Sequence, residues 1–389
     1  MNDIHLNMNH YSNFDIDQEP IRALQRCSCC VLPETMPFIE FDESGVCNYC
    51  NTYKRFELED IAVLNAWASK LRRKGNQPDS IVAFSGGRDS SFGMHYFVKE
   101  LGLHPMAYCY DWGMVTDVAK ANQKRMCEIL GVELVTISAN IAMKRNNIRK
   151  NILAWLKKPN LGMVPLFMAG DKQYFYFANK IRKEYKLDDI LLANNPFERT
   201  HFKSGFCGVM PAVLRSGQQS KDIEKLPLPG VVRMAAHYAK QYLTNLYYIN
   251  TSMIDLVGSA ASAYMIPHQY VRLFDFITWD EEEIDRVLLG DYDWEKATDT
   301  ESTWRIGDGT APFYNYIYFL IAGFTENDTM RSNQIREGML TREKALDLVY
   351  RDNTPRFESL EWYFDVVGLD MKEVLKQINH IPRMYETRG

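Results

Sequence analysis

The sequence lacks long hydrophobic runs, an excess of positive charge and a recognisable targeting segment. Its longest apolar run, Tyr316–Phe324, is far shorter than the roughly 20 residues that a membrane-spanning helix needs. The formal net charge of −5 disfavours a protein that coats a nucleic-acid backbone. The first residues are polar and contain neither the basic nor the apolar block of a signal peptide. We therefore expect a cytoplasmic protein with no nucleic-acid partner and no membrane insertion.

What the chain does contain is enough apolar material for a packed core, arranged in four segments. Hydrophobic residues make up 46% of the 389 residues. Residues 1–24 are polar, residues 25–57 hold most of the cysteines, residues 58–215 alternate between strand-like and helix-like stretches, and residues 216–389 are mainly helical in pattern. The alternation predicts βαβ units. We expect a Rossmann-like α/β domain with a parallel sheet, preceded by a cysteine module and followed by a mainly helical region.

The alternation is clearest after residue 80. A helix is expected to follow the first strand and to stop at Gly102, and another to run from a Thr116 cap to Gly131. If the strands are parallel, a ligand site lies at their carboxyl ends. The predicted strands are Ile81–Phe84, Met106–Tyr110, Leu134–Ile137 and Ile190–Ala193.

A Gly-Gly turn joins the first strand to its helix and has the composition of a phosphate loop. The glycines let the backbone approach an anion, and the serine hydroxyl groups can donate to it. Asp89 would repel a phosphate, so its presence predicts a bridging Mg²⁺. A Walker A loop is excluded because its G-x-x-x-x-G-K-[ST] spacing is absent. The loop reads Ser85-Gly86-Gly87-Arg88-Asp89-Ser90-Ser91.

This string resembles the SGGxDS signature of the PP-loop ATP pyrophosphatases, which include GMP synthetase, asparagine synthetase and tRNA thiolases. The resemblance implies an adenine nucleotide alpha hydrolase-like fold and cleavage of ATP between the α and β phosphates. All seven loop residues would then bind ATP, with Asp89 and Ser90 as catalytic residues. The alternative is a structural turn with a Ser/Asp helix cap.

Two further sites fit an ATP pocket. Asp111 ends the second strand, where related enzymes contact the nucleoside; a capped turn is the equally simple alternative. Asn194 and Glu198 follow a later strand and resemble the G-x-N-x-x-E element of PP-loop enzymes, although Ala193 replaces the expected glycine.

The cysteine module has the spacing of a metal site. Cys27-x-x-Cys30 and Cys47-x-x-Cys50 form two knuckles whose four thiolates suit a closed, structural zinc site. Cys29 is a spare cysteine, and the two-residue spacer favours Cys27 and Cys30 over it. An iron–sulfur cluster is the alternative occupant of this site, because it is also bound by four cysteines.

Three strings stand out in the C-terminal part: Trp304-Arg305-Ile306-Gly307-Asp308, Gly323-Phe324-Thr325-Glu326 and Ser332-Asn333-Gln334-Ile335-Arg336-Glu337-Gly338. Together with the order of the cysteine module and the loop, they resemble the N-acetyl sugar amidotransferase family (WbpG-like and PseA-like enzymes) from about residue 26 onward. The resemblance implies an ATP-dependent conversion of an acetamido group to an acetamidino group on a nucleotide-activated sugar, through an adenylated intermediate, in lipopolysaccharide or nonulosonic acid synthesis.

Substrate, cofactors and partner follow from the same resemblance. ATP, Mg²⁺ and Zn²⁺ are the implied cofactors, and Asp89 would hold the magnesium. Because no glutaminase signature is recognisable, ammonia is expected from a separate, HisH-like glutaminase. Two other hypotheses remain: a PP-loop tRNA thiolase, and a non-catalytic nucleotide-binding or zinc-scaffold protein. The residues implied to contact the substrate are Trp304, Arg305, Asp308, Glu326 and Arg336.

Overall fold

The computed structural model describes residues 11–71, 77–168, 170–216, 226–266 and 270–386. The first ten residues of the predicted polar segment and the last three of the C-terminal region lie outside the described residues. Within the described part of the chain, no helix is both long and apolar enough to cross a bilayer.

The centre of the molecule is a five-stranded parallel sheet with the strand order β3-β2-β1-β4-β5. Side chains of successive residues point to opposite faces, so Ile81 packs into the larger apolar cluster and Val82 into the second cluster on the other face. The strands are β1 Ile81–Ala83, β2 Met106–Asp111, β3 Leu134–Ser138, β4 Ile190–Leu192 and β5 Tyr270–Arg272.

This sheet, the N-terminal four-cysteine module and the mainly helical C-terminal region confirm the predicted fold class. The fifth strand was not predicted, since its three residues lie among helical patterns and carry no alternation of their own. It pairs in register with β4, where Leu191 faces Val271. The C-terminal region therefore completes the sheet of the preceding segment.

The helices pack on both faces of the sheet and form most of the C-terminal region. They are α1 Glu19–Arg22, α2 Asn48–Asn51, α3 Ile61–Leu71, α4 Arg88–His95 (continued by a π-turn, Tyr96–Glu100), α5 Asp117–Leu130, α6 Ile141–Lys157, α7 Tyr174–Glu184, α8 His201–Gly205, α9 Ala212–Ser216, α10 Leu228–Thr244, α11 Ser252–Tyr264, α12 Glu281–Asp291, α13 Ala311–Ala322, α14 Glu326–Glu337, α15 Arg342–Asp352, α16 Phe357–Val367 and α17 Met371–Asn379.

The predicted helix signals are confirmed at α5. The Thr116 hydroxyl accepts a hydrogen bond from the backbone N–H of Ala119, and Gly131 ends the helix in the left-handed conformation. At the end of the preceding helical segment, Gly102 also has a positive φ, of 61°.

The strand order creates a switch point beside β1. The chain runs from β1 to β2 and β3 on one side, then returns to place β4 on the other side of β1. The connections after β1 and β4 therefore leave the sheet in opposite directions. A crevice opens between them at the carboxyl edge, which is where α/β sheets bind ligands.

A buried chain of charges ties the start of α4 to the C-terminal helices. Glu281 accepts a hydrogen bond from Arg88 at 2.8 Å and also pairs with Arg331, which reaches Asp352 at 3.2 Å. The Arg88 side chain is inaccessible to solvent. Burial opposes the ionisation of Glu281, but the two guanidinium groups outweigh it and lower its pKa to about 2.

We expect Glu281→Gln to lower the free energy of unfolding at pH 7 by about 3 kcal/mol, because it leaves buried guanidinium groups without their shared anion. Urea denaturation measures the change. Glu282→Gln is the matched control: this neighbour is 89% exposed and its pair with Lys344 lies at the surface. Because the folded pKa of Glu281 lies below 4.5, its stabilisation is present above that pH and fades as pH falls towards 2. The difference in the free energy of unfolding between wild type and Glu281→Gln should therefore be smaller at pH 3 than at pH 7. Equal effects of Glu281→Gln and Glu282→Gln at pH 7 would contradict the prediction.

Candidate functional site

The Ser-Gly-Gly loop leaves the carboxyl end of β1 and makes a tight turn into α4. Gly86 has a φ of 76°, and a Cβ atom there would fall on the carbonyl oxygen of Ala119. The Ser85 hydroxyl lies 3.0 Å from the Ser90 hydroxyl and accepts a hydrogen bond from the Gly87 N–H. These bonds hold the loop in a closed turn at the switch point of the sheet.

The start of α4 offers an anion the groups that it needs. The first backbone N–H groups of a helix have no partner within it, and the helix dipole places partial positive charge at this end. Gly87 precedes the helix in an extended conformation, and Arg88, Asp89 and Ser90 form its first turn. Both hydroxyl groups, from Ser85 and Ser90, stand at the same turn.

Asp89 is held by an indole from the C-terminal region. Trp279 Nε1 donates to Asp89 Oδ1 at 2.6 Å, and Arg88 Nε lies 3.6 Å from the same oxygen. Within the described residues, Oδ2 accepts no hydrogen bond from the protein, and Asp89 lines the cleft beside the loop. The carboxylate therefore has one oxygen fixed by the protein, while the other is left without a protein donor.

Arg88 and Ser91 have structural partners. The Arg88 guanidinium turns away from the loop towards Glu281 and Thr303. Ser91 is fully buried and accepts a hydrogen bond from the indole of Trp294 at 3.1 Å. Of the seven predicted loop residues, Gly86 and Ser91 shape the turn from behind rather than line the cleft.

The loop opens into a cleft of about 480 Å³, a size common for small-molecule sites. One wall comes from the carboxyl ends of β1, β2 and β4, and the opposite wall from a C-terminal segment. The predicted residues that line it are Ser85, Gly87, Arg88, Asp89, Ser90, Asn194, Glu198, Trp304, Arg305 and Asp308. The structure thus brings the phosphate loop and most of the predicted substrate residues into one space.

The C-terminal wall is fastened to the residues that follow β2. Thr116 donates its hydroxyl hydrogen to the Ile306 carbonyl oxygen at 2.7 Å, and Asp308 forms an isolated antiparallel bridge with Val115. Gly307 packs on the phosphate loop, since a Cβ atom there would lie 3.4 Å from the Gly87 nitrogen. Residues 304–308 therefore form a lid over the loop that the fold holds closed.

A line of alternating charges runs from the cleft into the interior. Arg305 lies 3.2 Å from Glu198 and 3.1 Å from Glu326, which also pairs with Lys203. Burial raises the pKa of Glu198, with Arg305 opposing the rise. Burial also works against ionisation of Glu326, but Arg305 and Lys203 lower its pKa overall. The arginine is thus shared between one carboxylate that lines the cleft and one that is buried.

The backbone at Arg305 is strained, and its neighbours are tightly bonded. Its φ of 55° lies in the left-handed region that residues with a side chain seldom adopt. The preceding indole, of Trp304, donates to Glu198, and Tyr314 donates to Glu326 at 2.9 Å. Strain of this kind persists only where surrounding contacts impose it, and here the guanidinium is held between Glu198 and Glu326.

Asp111 takes the position of a turn cap. Its Oδ1 accepts from the Gly113 N–H at 2.9 Å, its other oxygen lies 3.1 Å from Lys120, and it does not line the cleft. Its neighbours Tyr110 and Trp112 do line it. Contact of Asp111 with the nucleoside stays a prediction, and the position of its side chain does not support it.

The four predicted cysteines converge into a metal-binding site. Their sulfur atoms all lie within 4.8 Å of one another, and the Cys27–Cys50 and Cys30–Cys47 distances are 3.9 and 3.8 Å. Cys29 is exposed and stands apart from them. One small ion with four thiolates at tetrahedral positions fits this arrangement.

Arg336 lies at this cysteine cluster and does not line the cleft. Its Nε and Nη2 atoms approach the sulfur atoms of Cys50 and Cys30, each at 3.2 Å. Burial works against its charge, but the cysteine sulfurs outweigh burial and raise its pKa. A guanidinium at this position offsets the negative charge of four thiolates around a divalent ion. Substrate contact by Arg336 remains a prediction without support from its position.

Several residues that shape the site escaped the sequence reasoning, namely Trp279, Trp294, Glu281, Arg331 and Lys203. None belongs to a spaced motif, and the Trp279–Asp89 bond joins residues 190 positions apart. The only available signal was the abundance of tryptophan near residues 279–304, which reads equally well as core.

We expect the purified protein to contain about one equivalent of metal per chain and Cys30→Ser to lose it, because three thiolates and a weakly acidic hydroxyl no longer close the site. Elemental analysis after dialysis measures the content. Cys29→Ser is the matched control, since its exposed thiol lies outside the cluster. Equal metal content in both variants would contradict the assignment of ligands.

Comparison with known proteins finds likeness among solved structures. No family model matches the chain, and no curated protein matches it. Among solved structures, the chain is similar to the U34-tRNA thiolase NcsA from Methanococcus maripaludis, solved with its [4Fe-4S] cluster, at 12% identity and a TM-score of 0.28, covering 94% of this chain and 92% of that one. What this chain binds and does has to be inferred from its own site.

Proposed function

We propose that the chain is an ATP-dependent amidotransferase. In this proposal it converts an acetamido group of a nucleotide-activated sugar into an acetamidino group, in bacterial surface-polysaccharide or nonulosonic acid synthesis. The observation that carries the proposal is the shared cleft: the phosphate loop at the switch point of the sheet faces the Trp304–Asp308 segment across one space. Those two strings belong to the sequence pattern that resembles N-acetyl sugar amidotransferases.

The geometry suits activation of an amide oxygen by ATP. Phosphate oxygens would bind at the start of α4, with Ser85 and Ser90 donating to them and Asp89 holding Mg²⁺. The amide oxygen attacks the α-phosphorus and pyrophosphate leaves, which gives an adenylated imidate. Ammonia then adds to the imidate carbon and AMP departs with the former amide oxygen. The cleft supplies alignment and charge stabilisation, and no protein nucleophile is required.

The substrate side of the cleft fits a polar, anionic ligand. Arg305 lines it with its guanidinium shared between two carboxylates, and Lys172 is a second cationic residue of the lining. Guanidinium groups bind carboxylate and phosphate in two-point contacts. Candidate substrates are a UDP-linked mannuronic acid derivative and a CMP-linked nonulosonic acid, as the family resemblance implies.

We propose zinc as the metal of the cysteine site, with a structural role. Four sulfur atoms that each lie about 2.3 Å from one tetrahedral ion are about 3.8 Å apart. The Cys27–Cys50 and Cys30–Cys47 sulfur distances match this value. A four-iron cluster would instead hold its cysteines around four separate irons and so spread the sulfur atoms further. With all four positions taken, the ion has no site for substrate.

A tRNA thiolase is the second candidate, since some of these enzymes also combine cysteine pairs with a PP-loop. Such an enzyme needs a reactive thiolate or a cluster that carries sulfur. Burial raises the pKa of Cys109 to about 11 and that of Cys127 and Cys207 to about 12, so none of the three is poised as a thiolate. A non-catalytic nucleotide-binding protein has no need of the Asp89 carboxylate beside the phosphates.

We expect Asp89→Asn to reduce substrate-dependent pyrophosphate release by more than about a hundredfold, because loss of charge stabilisation at the metal costs about 3 kcal/mol or more of the barrier. The amide keeps an acceptor for Trp279, so the melting temperature should stay near that of the wild type. Asp117→Asn is the matched control: it also lies in the first turn of a helix that follows a strand, but it is exposed and outside the cleft. Near-normal release by a folded Asp89→Asn protein would remove Asp89 from the mechanism.

We expect the isolated chain to form product with ATP, Mg²⁺ and ammonium, but not with glutamine alone. Mass spectrometry of the candidate nucleotide-sugars detects the replacement of an acetamide oxygen by NH, which lowers the mass by about one unit. Adding a glutaminase of the HisH type should restore the use of glutamine. Glutamine-dependent turnover by the isolated chain would show that it contains its own glutaminase site, and thiolated tRNA in place of an amidine would favour the second candidate.

A further inference from the structure

Two of the tryptophans that precede the lid donate their indole N–H groups into the phosphate loop. Trp279 donates to Asp89 and Trp294 donates to Ser91, at 2.6 and 3.1 Å. Both indoles are almost fully buried, at 1% and 3% exposure. They differ in their acceptor, because Asp89 lines the cleft and Ser91 does not.

Trp279 and Glu281 each bind one of two neighbouring charged residues of the loop. Arg88 and Asp89 are adjacent in sequence, and the Arg88 Nε atom lies 3.6 Å from Asp89 Oδ1. Glu281 pairs with the end of the Arg88 guanidinium, with 2.8 Å between Arg88 Nη1 and Glu281 Oε1. The centre of the Trp279 ring lies 5.0 Å from the guanidinium carbon, and the indole N–H donates a hydrogen bond to Asp89. Trp279 and the first residue of α12 thus hold the end of the Arg88 side chain towards Glu281 and leave the Asp89 carboxylate at the cleft.

The kind of donor that holds Asp89 matters for a cation. An indole N–H is a donor only and carries no net charge. It fixes the direction of Oδ1 without adding a second positive charge to that of Arg88, whose Nε lies 3.6 Å from this oxygen. A lysine in place of the indole would add such a charge and compete electrostatically with a bound divalent ion. Because a hydrogen bond to a charged group contributes more than one between neutral groups, the restraint on Asp89 is substantial.

We propose that Trp279 is a positioning residue for Asp89. It holds Oδ1 through a neutral donor, so that Oδ2 remains available to the Mg²⁺ of the bound nucleotide. This inference rests on the proposed function, since it takes Mg²⁺-ATP as the ligand of the loop. It adds a residue from the C-terminal region to the ATP site.

Calorimetric titration with α,β-methylene ATP, in MgCl₂ and in EDTA, tests the proposal without turnover. In Trp279→Phe, we expect the gain in affinity on adding Mg²⁺ to fall by about tenfold, the factor that 1.4 kcal/mol represents. Affinity in EDTA should stay within about twofold, since the phosphates still meet the same backbone groups. Trp294→Phe is the matched control, because it removes an equally buried indole N–H and a similar volume but should keep the Mg²⁺ effect of the wild type.

A second measurement needs no substitution at Trp279. With ¹⁵N-labelled indole groups, adding Mg²⁺ to the nucleotide complex of the wild-type protein should shift the Trp279 N–H signal more than that of Trp294. In the background of Asp89→Asn, Trp279→Phe should no longer change the Mg²⁺ effect. Equal Mg²⁺ effects in Trp279→Phe and Trp294→Phe, or equal signal shifts, would overturn the inference. Failure of the wild type to bind the analogue at all would instead overturn the proposed function.

Discussion

Burial of a polar helix is the constraint on which the rest of this structure depends. Residues 326–334 of α14 are all buried, yet Met330 is the only apolar side chain among them. Buried charges are costly unless other groups pair with them, so each charged member fixes a distant segment. Asp328 pairs with Arg26 at 2.7 Å, Arg331 with Glu281, and Glu326 with Arg305. A helix of this composition is stable only inside the assembled molecule.

The same helix connects the cysteine module to the cleft. Its first residue, Glu326, reaches the lid through Arg305, and near its last turn Arg336 contacts the sulfur atoms of Cys30 and Cys50. Arg342 follows and donates to the carbonyl oxygens of Cys27 and Cys30. The metal-binding module is therefore part of the framework that holds the lid, so an ion bound by the four cysteines would have an indirect role in shaping the proposed ATP site.

The site is built by two regions that are far apart in sequence. The α/β sheet contributes the phosphate loop and the carboxyl ends of its strands, while the C-terminal region contributes the lid, the indole donors and Glu281. Reciprocal hydrogen bonds join them, such as the one from Thr116 to Ile306. An isolated sheet domain would keep the turn at Gly86 but would lose the groups that orient Asp89. Catalysis of the proposed kind depends on such orientation.

The sequence by itself determined whatever depends on local chemistry. The Gly-Gly turn, the cap at Thr116 and the paired cysteine knuckles each need particular residue types at short spacing. The tight turn after the first strand, the boundaries of α5 and the cluster of four cysteines could therefore be predicted. Only the tertiary structure decided which distant groups meet. It placed Arg336 on the sulfur atom of Cys50, 286 positions away, and turned Arg88 towards Glu281. It also made Asp111 a turn cap and gave Asp89 its indole partner. The physical reason is that helical and strand periodicity fixes which face of its element a side chain occupies. Which distant residue it meets depends on how the elements pack, and such contacts have no characteristic spacing in the sequence.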